Sequence, residues 1–287
     1  MLAGLFVALQ YVLPQHLLTA LVWRIARIRH VATKNFLITH FVNLYDVDVD
    51  DVNLNVPDDF ETFNDFFVRE LSSHARPIDE SNNSIISPVD GTVSIADVIR
   101  GDSIIQAKGI DYSLSDLLAT DLEQAEAYVN GTFATIYLAP YNYHRVHAPW
   151  DGKLVAARYV PGDLFSVNAA TLERVAGLFR RNERLIMHFE TERGPAVLIF
   201  VGALNVGSIT TPWTGELRPK KHGVVDVPDL SAHSSTVLKG DLLGWFNMGS
   251  TVILLLPTGS SEWDHDLQPG ETLRMGEAIG QFPVTAK

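Results

Sequence analysis

The sequence predicts an α+β protein, a mainly β, barrel-sandwich-like domain preceded by an N-terminal helical cap. Three observations carry this. Apolar residues recur at helical spacing near the N-terminus, at Leu17, Leu18, Leu21, Val22, Ile25 and Ile28. From about Ser84 the pattern changes to short β-type runs between Gly, Asp, Asn and Pro turns. Two turn patterns then recur. Residues 87–93 (Ser-Pro-Val-Asp-Gly-Thr-Val) resemble residues 148–154 (Ala-Pro-Trp-Asp-Gly-Lys-Leu), and residues 239–244 (Lys-Gly-Asp-Leu-Leu-Gly) resemble residues 274–280 (Arg-Met-Gly-Glu-Ala-Ile-Gly).

The elements follow in order. Residues 2–13 are apolar but shorter than the ~20 residues of a membrane span, and Pro14 and Gln15 interrupt them. The 17–28 face is the first amphipathic helix, and Phe36, Leu37, Phe41 and Leu44 mark a second. Residues 1–45 thus form one segment and 46–287 the main domain. Asp58 is positioned to cap a helix carrying Phe60, Phe63, Phe66 and Phe67, which Arg76-Pro77-Ile78-Asp79 ends. Strands are expected over 91–99, 132–138, 153–160, 185–190, 196–201 and 252–256. Helices are expected over 113–119, with Ser113 and Asp116 as a capping box, and over 169–178.

The 287 residues include no cysteine, which excludes disulfides and thiol chemistry. A net charge of −12 disfavours nucleic acid as a partner. The charge is uneven. Arg24, Arg27, Arg29 and Lys34 precede the first acid, Asp46, so the rest of the chain carries −16. A basic, apolar end on an acidic body suits a peripheral helix lying on anionic lipid. The first residues lack the positive region of a signal peptide.

Chemistry concentrates at four places. Gly249-Ser250-Thr251 lies between two apolar runs, where a serine hydroxyl on a tight turn can attack the carbonyl before it. Asp90 occupies a Pro-Val-Asp-Gly turn. His144 and His147 lie in Tyr-Asn-Tyr-His-Arg-Val-His; no third ligand accompanies them, so no metal is expected. Residues 160–168 open a helix capped by Asn168, and backbone N–H groups there can face an anion such as a phosphate. Asp90, His147 and Ser250 have the residue types of a nucleophile, base and orienting acid. A serine hydrolase using them stays open, although no Gly-x-Ser-x-Gly elbow surrounds Ser250. The recurrent turns also resemble those of lipoyl- and biotinyl-type carriers, for which Lys153 and Lys239 are the adjoining lysines.

In one chain, these pieces resemble bacterial phosphatidylserine decarboxylase. The carrying motifs are Phe63-Asn64-Asp65-Phe66-Phe67-Val68-Arg69, Arg76-Pro77-Ile78-Asp79, Pro88-Val89-Asp90-Gly91, Gln106-Ala107-Lys108-Gly109, Tyr112-Ser113-Leu114, Asn130-Gly131-Thr132-Phe133 and Tyr143-His144-Arg145-Val146-His147. Residues 160–168, Phe179-Arg180-Arg181-Asn182-Glu183-Arg184, Val201-Gly202-Ala203, Val206-Gly207-Ser208-Ile209 and the Gly-Ser-Thr element continue the series. Met248 departs from the usual Leu there, a swap that keeps volume and apolarity.

The resemblance implies a zymogen cleaved between Gly249 and Ser250 into a β chain, 1–249, and an α chain, 250–287. By that analogy His147, oriented by Asp90, deprotonates Ser250, which becomes a covalent pyruvoyl group, the cofactor. The group would form a Schiff base with phosphatidylserine and release phosphatidylethanolamine, with His144 as the proton donor. Phe165 and Ser166 are expected to contact the substrate. The two chains would stay together as a heterodimer, further dimerised, at the cytoplasmic side of the cell membrane as a peripheral protein bound to anionic lipid. A pyruvoyl decarboxylase acting on a soluble amino acid is the neighbouring alternative.

Overall fold

The computed structural model describes residues 2–107, 109–120, 125–205, 208–231, 234–265 and 267–283; Lys108, Val206 and Gly207 of the motifs above lie outside them. Three helices open the chain: α1 (Leu2–Val12), α2 (Gln15–Ala26) and α3 (Val31–Tyr45). Pro14 cannot continue the hydrogen-bond ladder, and α1 and α2 meet at 94°. No single helix among the described residues is long and apolar enough to cross a membrane. Helix α2 ends at Ala26, before Ile28.

The cap is fastened to the body by buried amides. Gln10 Oε1 accepts from Ser166 N at 2.7 Å and Gln15 Oε1 accepts from Leu164 N at 2.8 Å. The basic residues of the cap are also partly committed. Arg27 pairs with Glu216, Arg29 with Glu61, and buried Lys34 donates to the Pro57 and Asp58 carbonyls. Part of the cationic bias of the cap therefore serves folding.

Helix α4 (Phe63–Phe67) buries its aromatic face against Ile38 and Phe41 of α3. Its cap is Thr62, whose Oγ1 accepts from Asp65 N, and not Asp58, which instead binds Asn35 of α3. Helix α5 (Leu114–Leu118) is capped by Ser113 as expected. The helix expected over 169–178 divides into α6 (Ala169–Leu172) and α7 (Leu178–Arg181). The buried Gln106 side chain makes the break tenable, because it binds the Leu172 and Val175 carbonyls and Leu178 N.

Seventeen named strands among the described residues form four sheets, all open, so the expected barrel is not closed. The largest has eight strands: β12 (Thr236–Val237), β7 (Gly152–Val160), β8 (Arg184–Thr191), β9 (Gly194–Val201), β14 (Thr251–Leu256), β5 (Thr132–Tyr137), β2 (Gly91–Val98) and β16 (Thr272–Leu273), in that order. Strand β14 is buried at all six positions and paired antiparallel on both sides, which explains its uninterrupted apolar sequence. A second sheet carries β6 (Arg145–His147) beside β13 (Leu242–Phe246). A third pairs β1 (Ser84–Ile86) with β17 (Ala278–Gln281).

The recurrent turns are related in space as they are in sequence. Ile86 N donates to the Pro149 carbonyl and His147 N to the Pro88 carbonyl. Gly276 N donates to Ser87 O as Gly240 N donates to Ala148 O. Both glycines have left-handed backbones, φ 95° and 89°. Met275 N donates to Asp90 as Lys239 N donates to Asp151. Each Asp thus anchors a glycine turn in an equivalent place.

Glu183 is buried beside Tyr159, whose hydroxyl donates to it at 2.6 Å; burial pushes its carboxyl pKa up to about 7 from 4.5. Between those values the folded chain holds a proton that the unfolded chain has lost, so stability falls as pH rises through that window. Glu183→Gln should flatten this loss, worth at most about 3 kcal/mol. Urea midpoints measured at both ends of the window check it; an unchanged slope would refute the protonated carboxyl.

Candidate active site

The candidate site lies where β13 passes into β14. Residues 247–250 are held in place before any chemistry is considered. Asn247 Oδ1 accepts from Asn64 of α4, and its Nδ2 donates to Ser208 Oγ at 2.8 Å. Ser208 in turn donates to Glu216, which also accepts from Trp23 of α2 and from Arg27 just after it. Leu138 N donates to the Ser250 carbonyl at 2.8 Å, extending the β5–β14 pairing by one residue.

Ser250 is fully buried and its hydroxyl has no hydrogen-bond partner. Leaving a buried hydroxyl unpaired costs roughly 1–3 kcal/mol, and such groups call for an explanation. His144 supplies one. A Cβ placed on Gly249 would lie 3.3 Å from His144 Nε2 and 3.3 Å from the Leu138 carbonyl. Only glycine leaves this approach uncrowded.

His144 is buried, and its ring packs on Phe67 with centroids 4.1 Å apart. Its Nδ1 lies 2.7 Å from the Asn142 carbonyl, which can only accept, so Nδ1 carries the hydrogen and Nε2 a free lone pair. Burial, reinforced by the Arg69 charge, holds its pKa down to about 3 from 6.5.

His147 has different company. Its Nδ1 donates to the Gly240 carbonyl at 2.7 Å, leaving Nε2 to accept from the Tyr143 hydroxyl at 3.0 Å. Its pKa is lowered by burial and Arg145, while the Gly240 bond and the charges of Asp90 and Asp241 act the other way.

Asp90 does not hydrogen-bond His147. Its carboxylate accepts a two-pronged bond from Arg76, at 2.8 and 2.6 Å, together with Met275 N at 2.9 Å. Burial opposes the Arg76 charge, but Asp90 and Asp51 outweigh it and raise that pKa. The expected orienting bond between Asp90 and His147 is therefore absent here; a guanidinium fork offers the carboxylate more than one imidazole N–H can.

Phe165 and Ser166 are engaged by the helical cap. Phe165 packs edge-on against Tyr11 of α1, and Ser166 N is bonded to Gln10. Of the 160–168 N–H groups, those of Leu164, Phe165 and Ser166 are already taken, donating to Gln15, Asn182 and Gln10. Lys239 is bonded to Ser81 and Ser84, and Lys153 lies within β7, so neither is displayed on a hairpin tip.

Arg69 closes the Phe63–Arg69 motif, and its sequence pattern predicts no role for it. It is buried, with Nε and Nη1 unpaired, and only a 3.4 Å bond to the Tyr141 carbonyl. Burial lowers its pKa to about 10. It lines a cavity of about 280 Å³ with Arg76, Asp90 and Tyr143. A buried, underbonded cation is costly, a signal that a sequence cannot display. Arg69→Met should raise the His144 pKa while burial keeps it below 6.5. NMR titration of the imidazole in a folded variant checks this; no upward shift would refute the coupling.

An apolar cavity of about 210 Å³ completes the region. Val22 and Ile25 of α2, Leu37 and Phe41 of α3, Phe63 and Met248 line it. Met248, the residue before Gly249, forms part of its wall.

Comparisons agree with the geometry. A family model described as phosphatidylserine decarboxylase matches residues 63–281, and one described as PSD matches residues 5–46. The chain is 45% identical over 282 residues to a phosphatidylserine decarboxylase proenzyme of Saccharophagus degradans, covering 98% of this chain and 99% of that one. A proenzyme of the same name from Alcanivorax borkumensis is 45% identical, with coverage of 97% and 96%. The Methylococcus capsulatus protein so named is 43% identical, with coverage of 96% of each chain. With these matches spanning both the helical cap and the Gly-Ser site, the chain belongs to the phosphatidylserine decarboxylase family.

Proposed function

We propose that this chain is a proenzyme that cuts itself between Gly249 and Ser250 and, once matured, converts phosphatidylserine to phosphatidylethanolamine. The observation that carries the reading is the buried, unbonded Ser250 hydroxyl next to a glycine against which a histidine lone pair is packed. Mass measurement of the purified polypeptides tests it, with two chains expected.

Cleavage needs a base for the Ser250 hydroxyl. His144 is the histidine packed against Gly249, but a pKa of about 3 makes it a weak base. His147 is favoured because the Asp90 and Asp241 charges support its protonated form. Asp90 then acts by its charge, without a direct bond, and His147 exchanges the Tyr143 hydroxyl for that of Ser250. The hydroxyl oxygen attacks the Gly249 carbonyl; its proton passes through His147 to the departing amide nitrogen, giving an ester. Loss of the residue-250 α-proton expels Gly249 as a carboxylate, and water releases ammonia to leave a ketone.

The surroundings fit such a pyruvoyl group, since position 250 is buried and its carbonyl is held by Leu138 N. When present, the group links to the substrate amine and takes up the electron pair left by departing carbon dioxide. His144 is the residue assigned to return a proton; burial, reinforced by the Arg69 charge, keeps it neutral, and the arriving phosphodiester anion would offset the Arg69 part. An acyl chain in the cavity beside Met248 orients the head group toward residue 250.

Helices α1 and α2 expose Leu9, Val12, Leu17 and Leu21, which supports attachment of the cap to a lipid surface without a span. The cytoplasmic leaflet, rich in anionic lipid, is the matching side. The two chains would remain joined, because β14 is paired with both β5 and β9.

A further inference from the structure

We infer that residues 218–227 form a second lipid-contacting element, which docks beside the α1–α2 elbow on an anionic bilayer. This rests on the reading of the cap as membrane-attached and adds a part of the surface distant in sequence.

The stalk of the loop is well tied. Tyr159 exchanges backbone bonds with Asp226 at 2.8 and 2.9 Å, and its hydroxyl accepts from Lys220 N at 3.1 Å. Gly162 N donates to the Lys220 carbonyl at 3.0 Å. The tip between these ties, and Val227 just past them, are exposed. Val224 is 86% exposed and Val227 65%, and Lys220, Lys221 and His222 are exposed beside them. Exposed valines on a tightly anchored loop gain nothing from folding.

The loop lies against the cap. The Arg218 guanidinium stacks over Trp23 of α2 at 4.1 Å, and Glu216 binds both Trp23 and Arg27. Lys221 lines one cavity with Leu13, Pro14 and Leu17 at the elbow, and its charge is felt by His16. Leu17 is 67% exposed and Val12 77%, so the elbow carries exposed apolar side chains on the stretch of surface that Lys221 of the loop borders. Contiguous exposed apolar surface rimmed by charge marks an interaction site.

Charge selects the occupant. Arg27 and Lys34 of the cap are engaged within the protein, whereas Lys220 and Lys221 stand exposed at the rim. Asp226, the acid of the loop, belongs to the tied stalk and is outnumbered by Arg218, Lys220 and Lys221. Valines for the acyl boundary and lysines for the head groups fit an anionic bilayer.

The test uses the full chain and vesicles of phosphatidylcholine, alone or mixed with phosphatidylglycerol, an anionic lipid outside the proposed reaction. Lys220→Glu combined with Lys221→Glu should weaken binding to the mixed vesicles by about tenfold or more and leave neutral vesicles little affected. Val224→Asp combined with Val227→Asp should weaken binding to both. Thermal melting and turnover of a short-chain, detergent-dispersed substrate should stay unchanged in each. Wild-type binding in the loop variants, with loss only in Leu17→Asp, would overturn the loop's role and leave the cap reading standing. No vesicle binding by the parent chain would overturn both. A change in solution mass in the loop variants, without a change in vesicle binding, would assign the surface to a second copy of the chain and overturn the lipid proposal.

Discussion

Ser250→Ala is expected to yield one polypeptide of 31.7 kDa with no decarboxylase activity, where the parent is expected to give chains 1–249 and 250–287. The substitution removes the oxygen that would attack Gly249, and no other hydroxyl directly follows that carbonyl. It should not unfold the protein. The Ser250 hydroxyl is buried without a partner, so deleting it relieves a desolvation cost, and stability should hold or rise by about 1 kcal/mol. Intact-mass analysis with a melting curve reads both effects. A variant that still divides into two chains would defeat the self-cleavage proposal, and one that stays whole yet turns over lipid would defeat the pyruvoyl proposal.

The second large effect should separate the two histidines. His147→Ala should block cleavage, leaving an inactive single chain. His144→Ala should mature but decarboxylate about 100- to 10,000-fold more slowly, the span associated with a lost proton-transfer group. The structure makes this a demanding test, because His144 Nε2 packs against Gly249 while His147 is bonded to Tyr143 and Gly240. Proximity favours His144 for the first proton transfer, and basicity favours His147. Cleavage lost in His144→Ala but kept in His147→Ala would reverse the assignment. The Asp90 role is probed by Asp90→Asn, which keeps the Met275 N–H contact but removes the charge that supports the protonated form of His147.

Much of the fold was legible because periodicity reports local burial. The run at 252–256 reads as a strand covered on both faces, and β14 is one. The Pro-x-Asp-Gly and glycine turns repeat in sequence, and their backbone bonds repeat in space. The failures share one cause. Thr62 displaced Asp58 as a helix cap, Gln106 divided the 169–178 helix, and Gln10 and Gln15 occupied N–H groups expected to face an anion. Each depends on the choice of one polar partner among several, and nearby residues alone do not set that choice.

The sequence by itself determined the order of motifs, the helical cap, the duplicated turns and the Gly249-Ser250-Thr251 element, because these are properties of consecutive residues. Only the tertiary structure decided that Arg76 claims Asp90, that His144 faces Gly249, that Arg69 is buried without a full set of partners, and that residues 218–227 lie beside α2. Those contacts join positions far apart in the chain. Their outcome turns on competition among distant donors, acceptors and charges as the core closes, and local pattern carries no record of that competition.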